Sequence, residues 1–468
     1  MDSDVAVLGG GPGGYTAAIR AAQLGAKVVC IEQEPELGGT CLRVGCIPTK
    51  AWVQTAHALH DARDTFARLG AVVGEPTLDF AAANAWKDGV VKQMTGGVAQ
   101  LFNANGVDWV NGRGRFTGPN TIAVEGGEDV TFKSAIVATG SFPVRPPIPG
   151  LDSPRCVDST GLLAQTAVPH RLVVLGGGII GCEFASIFNR FGCEVTVIEM
   201  LPTLIPQEDA DAAKELAKAF GRRGIALHLA KQCTGVEDTG SGLLVRFGEG
   251  ETVEADLMLV SVGRAALVEG LGLEAAGVQF DRKGIATDDR RRTSAPHVYA
   301  VGDCAGYWQL AHTAFREGEV AAENACGHDA TIGSPAVPRP IYTDPEIAGV
   351  GLTQAQAVER YGEENVAVGR APWAAIARAV MSGDTTGWVK TIHETRYGEL
   401  LGVVIVGPHA TDLIDVGVVA LDAESTIETI ADGVAPHPTF SEAIKEAGLV
   451  ALGRAIHLPP KRKSGART

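Results

Sequence analysis

Several features that mark particular protein classes are missing from this chain of 468 residues. No apolar run approaches the ~20 residues that a membrane-spanning helix needs. No signal peptide is recognisable, since Asp2 and Asp4 precede the first apolar run and a glycine-rich loop follows it. No two cysteines have the C-x2-C spacing of zinc and iron–sulfur sites, so no metal site is predicted. We therefore expect a cytoplasmic protein without a membrane anchor.

Positive charge is also scarce. The 40 Lys and Arg residues are outnumbered by 55 Asp and Glu residues, and the formal net charge is −15. Such a charge is unfavourable for binding nucleic acid, so no nucleic-acid partner is expected. The nine cysteines are an odd number in a long chain, which argues against the disulfide framework of a small secreted protein.

Glycine, by contrast, is abundant. The chain has 59 glycines and 45% hydrophobic residues, a composition typical of an α/β protein with many tight turns. Its length exceeds what one hydrophobic core serves, so we expect two or three domains. The basic and polar residues 459–468 are expected to be disordered.

A nucleotide-binding unit opens the chain. Residues 5–8 form an apolar run that predicts a buried parallel strand, and the loop after it has the spacing Gly9-x-Gly11-x-x-Gly14. A predicted helix and a second strand follow, and that strand ends at Glu32, near the interval of about 20 residues expected after the loop. The glycines permit a tight turn and the close approach of a pyrophosphate, and Glu32 can accept a hydrogen bond from a ribose hydroxyl.

A second unit repeats the pattern. A strand at residues 172–175 leads into Gly176-x-Gly178-x-x-Gly181, and Glu199 follows at the same separation as in the first unit. The chain is therefore predicted to bind two dinucleotides. A carboxylate at Glu199 accepts from a ribose 2′-hydroxyl and repels a 2′-phosphate, and the five residues after it contain no arginine. We predict NAD rather than NADP at this unit.

Two cysteines, Cys41 and Cys46, follow the first unit within ten residues. If the stretch is helical, the two thiols lie roughly one turn apart, and a thiol near a helix N-terminus favours its thiolate. We predict a redox-active dithiol that can close to a disulfide. The alternative is a pair of buried structural cysteines. The other seven have no paired spacing and are expected to be structural: Cys30, Cys156, Cys182, Cys193, Cys233, Cys304 and Cys326.

Further motifs lie downstream in a fixed order. They are GTCLRVGCIPTK at residues 39–50, VYAVGD at 298–303, LAH at 310–312, YTDPE at 342–346 and HPTFSE at 437–442. With the two glycine loops, this order resembles the flavin-dependent pyridine nucleotide–disulfide oxidoreductases, over residues 5–453. Within that family, the resemblance is closest to the enzymes that oxidise dihydrolipoamide.

The resemblance implies an α/β fold. It consists of two Rossmann-like dinucleotide-binding domains, for FAD and NAD, and a C-terminal α+β dimerisation domain. The expected limits are 1–144 for the first part of the FAD domain, 145–264 for the NAD domain, 265–335 for a return into the FAD side and 336–458 for the dimerisation domain.

The resemblance also assigns cofactor contacts, with FAD at the first unit and NAD at the second. Asp303 would accept from the ribityl chain, and Lys50 would lie beside the flavin, paired with Glu183. The alternative for Lys50 and Glu183 is two solvated surface charges. The implied FAD residues are Gly9, Gly11, Gly14, Glu32, Gly39, Thr40, Lys50, Gly114, Thr139, Gly140, Ser141, Asp303 and Ala311. The implied NAD residues are Gly176, Gly178, Gly181, Glu183, Glu199 and Gly263.

The resemblance gives the catalytic residues distinct roles. Cys41 would exchange with the substrate, and Cys46 would lie against the flavin. A dithiol substrate must lose protons, and His437, oriented by Glu442, would be the base. In this family the base reaches the cysteines of the other subunit, which implies a homodimer with shared active sites.

The implied reaction is oxidation of dihydrolipoamide to lipoamide with NAD⁺, for a lipoyl-bearing protein of a 2-oxo acid dehydrogenase or glycine cleavage complex. Alternatives that stay open are an NAD(P)H-dependent disulfide or quinone reductase (diaphorase), a flavin redox sensor and a docking subunit of a multienzyme assembly. Four departures from the family pattern bear on the substrate. Arg43 stands where Asn is common, Thr49 replaces Ser, Ala435 stands where many members have a second histidine, and residues 373–378 are more apolar than is usual there.

Overall fold

The computed structural model describes residues 1–333 and 336–459, so residues 460–468 of the predicted tail lie outside the described residues. The elements up to residue 143 are β1 (Val5–Leu8), α1 (Pro12–Gln23), β2 (Val28–Glu32), α2 (Gly39–Val44), α3 (Cys46–His60), α4 (Phe66–Arg68), α5 (Phe80–Asn105), β3 (Asp108–Asn111), β4 (Gly114–Gly118), β5 (Thr121–Val124), β6 (Val130–Thr131), β7 (Ser134–Val137) and β8 (Ser141–Pro143). One π-helical turn, Asp61–Thr65, joins α3 to α4.

The middle of the chain repeats the order of strand, helix and strand. Its elements are β9 (Cys156–Val157), α6 (Ser159–Leu163), β10 (Arg171–Leu175), α7 (Ile179–Arg190), β11 (Glu194–Ile198), α8 (Ala210–Arg222), β12 (Ala226–His228), β13 (Cys233–Asp238), β14 (Leu243–Phe247), β15 (Glu251–Ala255), β16 (Leu257–Val260) and β17 (Arg264–Ala266). Helix α7 begins at Ile179, directly after the second glycine of the loop.

The chain then returns to the first sheet before it forms its last domain. The return contains β18 (Phe280–Asp281), β19 (Gly284–Ile285), β20 (Val298–Ala300) and α9 (Ala311–Ala325). The last domain contains β21 (Arg339–Ile341), β22 (Ile347–Gly351), α10 (Gln354–Tyr361), β23 (Val366–Pro372), α11 (Ala377–Ser382), β24 (Trp388–Glu394), β25 (Leu400–Val406), α12 (Ala410–Leu413), α13 (Asp415–Asp422), α14 (Ile427–Asp432) and α15 (Glu442–Ala451).

Two parallel five-stranded sheets place the glycine-loop strands at their centres. The orders are β20-β7-β1-β2-β3 and β12-β11-β10-β16-β9. The last domain has an antiparallel sheet in the order β21-β22-β25-β24-β23, with helices packed on it. The predicted fold class, two Rossmann-like domains and a C-terminal α+β domain, is confirmed. We retain the predicted domain limits as a proposal, which the membership of strands in these sheets supports.

One predicted helical region is interrupted. The alanine-rich stretch 59–105 is expected to be mostly helical, yet residues 69–79 form neither helix nor strand. Gly70, Gly74 and Pro76 lie in this segment, and glycine and proline are the residues that disfavour helix most. The stretch is therefore mostly helical, as expected, with one break of eleven residues before α5.

An aromatic cluster joins the first two domains behind the cysteines. Trp52, on α3, is fully buried, with its ring centroid 5.5 Å from Phe80 and 5.8 Å from Phe188. Phe188 lies on α7, the helix that follows the second glycine loop. The cluster therefore packs the helix of the cysteine motif against the helix of the second nucleotide motif.

Buried ion pairs join the second domain to the last one. Lys390, on β24, is 1% exposed, and its Nζ donates to Asp209 at 2.8 Å and to Asp211 at 2.6 Å, at the start of α8. Arg339 pairs with the buried Glu208 at 2.9 Å.

Among the helices of the described residues, none combines the length and apolar character needed to cross a bilayer.

Candidate active site

Both glycine loops bend sharply between a strand and a helix. Gly9 and Gly176, the first glycine of each loop, have φ values of +107° and +108°, which strongly favour glycine. A Cβ atom added to Gly14 would lie 1.8 Å from the Gly9 oxygen, and one added to Gly181 would lie 2.1 Å from the Gly176 oxygen. Glycine at these four positions is therefore required by the backbone itself.

The second glycine of each loop faces open space instead. A Cβ added to Gly178 would meet no atom within 4 Å, and one added to Gly11 would meet only the Cα of Gly39, at 3.7 Å. Each of these glycines immediately precedes a helix, α1 or α7, whose first amides have no side-chain cap. A pyrophosphate fits both loops, because it can approach the backbone closely and accept hydrogen bonds from free amides.

A buried carboxylate stands beside each loop at the end of the second strand. Glu32 Oε2 accepts a hydrogen bond from the Gly10 amide at 2.7 Å, and Glu199 Oε2 accepts one from the Gly177 amide at 2.6 Å. Each acid also accepts from the amide two residues further along the chain, at 3.0 Å and 2.7 Å respectively. These bonds hold both carboxylates where each could accept from a ribose hydroxyl.

The two predicted redox cysteines lie on consecutive short helices rather than on one. Helix α2 contains Cys41, and α3 begins at Cys46. Between the helices, a Cβ on Gly45 would lie 2.7 Å from the Thr40 oxygen, so glycine lets them meet closely. Both cysteines are free thiols, which corresponds to the reduced form of the pair.

The acidities of the two thiols are far apart. The Cys41 thiol donates a hydrogen bond to the sulfur of Cys46, which raises the pKa of Cys41 and lowers the pKa of Cys46 to about 7. Burial opposes the change at Cys46, and the charge of Lys50 assists it. Near neutral pH, Cys46 is therefore the thiolate of the pair and Cys41 is the thiol.

Lys50 and Glu183 form an ion pair behind the thiolate. Lys50 Nζ lies 2.8 Å from Glu183 Oε2, and the Glu183 side chain is only 6% exposed. Burial lowers the pKa of Lys50, but the charges of Glu183 and Cys46 outweigh burial and raise it. Tyr342 completes the arrangement, since its amide donates to Glu183 Oε1 at 2.9 Å and its ring centroid lies 4.5 Å from Lys50 Nζ. These are not two solvated surface charges.

His437 lies on the last domain and points to solvent. Its side chain is 71% exposed, and its Nδ1 is hydrogen-bonded to Glu442 Oε1 at 2.8 Å. Burial raises the pKa of Glu442, but the hydrogen bonds from His437 and from the Thr439 amide outweigh it and hold the pKa below its usual range. Within the described residues, His437 makes no hydrogen bond to Cys41 or Cys46.

Two protein-family models together match most of the chain. Residues 3–318 match the model of the pyridine nucleotide-disulphide oxidoreductases, and residues 337–448 match the dimerisation domain of the same proteins. The chain belongs to the pyridine nucleotide-disulphide oxidoreductase family. This membership confirms the prediction of an oxidoreductase with FAD and NAD as cofactors, and the second match supports the predicted homodimer.

Individual members of the family cover nearly the whole chain. The dihydrolipoyl dehydrogenase of Thermus scotoductus is 43% identical, over 97% of this chain and 98% of that protein. The mitochondrial dihydrolipoyl dehydrogenase of Pisum sativum is 39% identical, over 98% of this chain and 93% of that protein. The solved structure of RclA, an HOCl-induced flavoprotein disulfide reductase from Escherichia coli, superposes with a TM-score of 0.86 at 28% identity, covering 95% of this chain and 99% of that chain.

In this oxidoreductase, Asp303 is part of a network that sequence reasoning found only partly. The Ser141 hydroxyl donates to the Asp303 carboxylate, and Arg264 Nε donates to Ser141 Oγ at 2.7 Å. Arg264 Nε also lies 4.0 Å from Asp303. Burial raises the pKa of Asp303, although both neighbours oppose the rise. Sequence reasoning missed Arg264, because only the pairing of β8 with β17 brings it to Ser141. The local signal that could have indicated its role is its position directly after Gly263.

Other predicted cofactor residues of the oxidoreductase line the open side of the loops. Gly140 and Gly263 have φ values of +76° and +131°, and a Cβ added to either would meet no atom within 4 Å. Gly39 lies against Gly11, and Thr40 beside it is exposed. The assignment of these residues to FAD and NAD stays a proposal, which the open space at Gly140 and Gly263 supports.

Three predicted FAD residues have contacts that also explain them structurally. A Cβ on Gly114 would lie 2.5 Å from Leu8 Cδ1, so a larger residue there would have to displace that side chain. The Thr139 hydroxyl donates to the Leu267 oxygen at 2.7 Å. Ala311 is the first residue of α9. Their contacts with FAD remain proposed.

Of the departures from the family pattern, Arg43 now has a described partner. Its Nη2 lies 2.8 Å from Glu34 Oε2, so the guanidinium is engaged on the side of the first nucleotide unit. Thr49 is buried on α3. The cation that acts on the cysteine pair is therefore Lys50, whose charge helps to lower the pKa of Cys46.

Proposed function

We propose that this chain is a dihydrolipoyl dehydrogenase that oxidises dihydrolipoamide to lipoamide and reduces NAD⁺. The observation that carries the proposal is the Cys41–Cys46 pair, in which a thiol and a thiolate stand side by side next to the Lys50–Glu183 ion pair. A pair with divided acidity is suited to thiol–disulfide exchange, because one sulfur leaves as a stable thiolate while the other bonds to substrate. The identity to named dihydrolipoyl dehydrogenases supports the choice of substrate.

The exchange starts from the oxidised pair. One thiol of dihydrolipoamide releases its proton to solvent, and the resulting thiolate attacks Cys41 Sγ; the Cys41–Cys46 bond breaks, and Cys46 leaves as a thiolate. The second thiol of the substrate gives its proton to His437 and attacks the substrate sulfur of the mixed disulfide, so that the bond to Cys41 breaks and lipoamide is released. Cys41 takes up the proton from His437 as it leaves. Two electrons have passed to the pair, which ends as the Cys41 thiol hydrogen-bonded to the Cys46 thiolate, the arrangement of the described structure.

Lys50 and Glu183 would assist the transfer of electrons from the reduced cysteine pair. The Lys50 cation stabilises negative charge on Cys46 and on any electron acceptor beside it, and Glu183 keeps Lys50 charged and fixed. When bound, FAD supplies the two-electron relay between this dithiol and NAD. Residues of the first loop, with Glu32 and Asp303, would hold FAD, and residues of the second loop, with Glu199, would hold NAD.

His437 would act across the twofold axis of a homodimer. It is exposed and contacts Glu442, and within the described residues it contacts neither cysteine of its own chain. A second copy can bring His437 to Cys41, which makes each site depend on both chains. We further propose a cytoplasmic location and a lipoyl-bearing protein of a 2-oxo acid dehydrogenase or glycine cleavage complex as the partner.

Turnover with defined substrates tests the proposal. The purified flavoprotein should reduce NAD⁺ with dihydrolipoamide, and Cys41→Ser should abolish that reaction, because no exchange can start without the Cys41 sulfur. Cys326→Ser, which removes a thiol far from the cysteine motif, is the matched control and should retain the activity. NADH-dependent reduction of quinones or other disulfides with no reaction of dihydrolipoamide would instead favour a diaphorase or a different disulfide reductase.

A further inference from the structure

Helix α15 contains the carboxylates of two histidine–carboxylate pairs, and these carboxylates lie one helical turn apart. Glu442 opens the helix and contacts His437, and Glu446 contacts His457, with 2.6 Å between Glu446 Oε1 and His457 Nδ1. Residues four apart lie on the same face of a helix, with Cβ atoms about 5–6 Å apart. The two pairs are therefore neighbours, and His457 also acts electrostatically on Glu442.

The carboxylate of Glu446 is buried, so its loss of hydration must be compensated by other contacts. Its side chain is 8% exposed, and its Oε2 is buried with no hydrogen-bond partner in the described part of the chain. A buried carboxylate is costly unless an opposite charge or donors offset the loss of water. His457, which is 70% exposed, supplies the direct contact and can exchange its proton with solvent.

The other charges around this helix are engaged elsewhere. Asp432, at the end of α14, pairs with Arg454 at 2.6 Å. On the strands beneath, Arg370 stacks on Trp388 with 4.2 Å to the ring centroid, and Lys390 is held by the acids of α8. The remaining titratable side chains on the neighbouring segments are Arg378, His393, Glu394, His409, Glu428 and Lys445. Glu446 and His457 are the pair that adjoins Glu442.

We propose that Glu446 and His457 are positioning residues that set the proton affinity of the base His437 through Glu442. The inference rests on the proposed function, in which His437 takes a proton from the substrate. A protonated His457 neutralises Glu446. Without His457, two carboxylates on one helix face act on His437 and favour its protonated form, whereas without Glu446 one carboxylate fewer does so.

The pH profile of dihydrolipoamide oxidation tests this directly. The acid limb of kcat/KM reports the pKa of the free-enzyme base, which must be neutral to act. We expect His457→Asn to move this limb upward by about half a pH unit and Glu446→Gln to move it downward, as expected for a charge one helical turn away near the surface. His457→Lys, which keeps a positive charge, should leave it at or below the wild-type position. His328→Asn removes an exposed histidine after α9 and should leave it unchanged.

A second readout separates this inference from the proposed function. The pKa of the His437 imidazole can be followed by NMR of isotope-labelled histidine, with the signal assigned by its loss in His437→Gln. The same opposite shifts should appear there even if dihydrolipoamide is not the substrate, and inactivity of the wild-type protein would then count against the proposed function alone. Shifts that are absent, or that have the same sign in His457→Asn and Glu446→Gln, overturn the inference. If Glu446→Gln does not fold, the two His457 variants decide. A higher pKa of His437 in His457→Asn than in His457→Lys supports the inference, and equal values overturn it.

Discussion

The side chain of Lys50 is one of the groups that favour the Cys46 thiolate. The hydrogen bond from Cys41 is the main cause that lowers the pKa of Cys46 to about 7, and the charge of Lys50, which lies 2.8 Å from Glu183, adds to it. An acid such as a thiol is charged above its pKa and loses that charge as the pH falls through the pKa. The Cys46 thiolate is therefore available at neutral pH and is lost in mild acid.

Replacing Lys50 by methionine should make Cys46 less acidic. We expect its pKa to rise by about one unit, because the nearby cation is lost while the burial remains. The pH dependence of alkylation of the reduced protein by iodoacetamide measures this change. Lys92→Met, at an exposed position on α5, is the control, and an unchanged profile in Lys50→Met would show that Lys50 does not act on the thiolate.

Motif spacing predicted the Cys41–Cys46 pair, and the family resemblance implied that Lys50 pairs with Glu183, whose charged atoms lie 2.8 Å apart. Motif spacing could not identify Arg264 or Tyr342. Their roles come from contacts between segments far apart in sequence, Arg264 with Ser141 and Tyr342 with Glu183. Side chains whose partners are set by tertiary packing leave little local signal.

At the scale of the elements, the second glycine loop gives a matched pair of substitutions. Gly178→Ala places a methyl group in open space where the pyrophosphate would lie, and Gly181→Ala places one 2.1 Å from the Gly176 oxygen. We expect Gly178→Ala to keep the thermal unfolding midpoint and to weaken NADH binding about tenfold, or about 1.4 kcal/mol. Gly181→Ala should lower the midpoint. Calorimetry and NADH titration measure both, and unchanged NADH affinity in Gly178→Ala would contradict the assignment of the loop.

The buried contact between α8 and β24 gives a second prediction at this scale. Lys390→Met leaves the buried Asp209 without its cation, which should cost about 3–5 kcal/mol in the free energy of unfolding. Adding Asp209→Asn should recover most of that loss, since asparagine also caps a helix. Lys231→Met, which breaks an exposed pair with Glu251, should cost far less than Lys390→Met, because solvent screens that pair. Equal losses in the buried and exposed variants, measured by urea unfolding, would contradict this account.

The elements themselves were largely predictable where hydrophobic pattern and glycine loops coincide. The strands and helices around both loops were placed within a few residues, because an apolar run, a turn and a helix start share one short segment. The break at residues 69–79 was missed, since an alanine-rich composition favours helix and the glycines and Pro76 act only locally. Gly45 separates α2 from α3, so Cys46 stands at a helix N-terminus, as expected, while Cys41 lies on the preceding helix.

For the whole molecule, the account depends on two chains sharing each site. A mixture of Cys41→Ser and His437→Gln proteins, unfolded and refolded together, should regain activity that neither variant has alone. Random pairing makes half of the dimers mixed, and each mixed dimer has one intact site, so about a quarter of wild-type activity is expected. Refolding each variant separately is the control. No recovery in the mixture would place His437 and the cysteines in the same chain's site.

The most direct test of the central claim is anaerobic titration of the FAD-loaded protein with dihydrolipoamide, followed by NAD⁺. The account predicts that one equivalent of dihydrolipoamide reduces the Cys41–Cys46 pair and gives a long-wavelength band from the Cys46 thiolate against the flavin. One equivalent of NADH should then form when NAD⁺ is added. A flavin spectrum that ignores dihydrolipoamide but is bleached by NADH would contradict the claim that this dithiol accepts electrons from dihydrolipoamide.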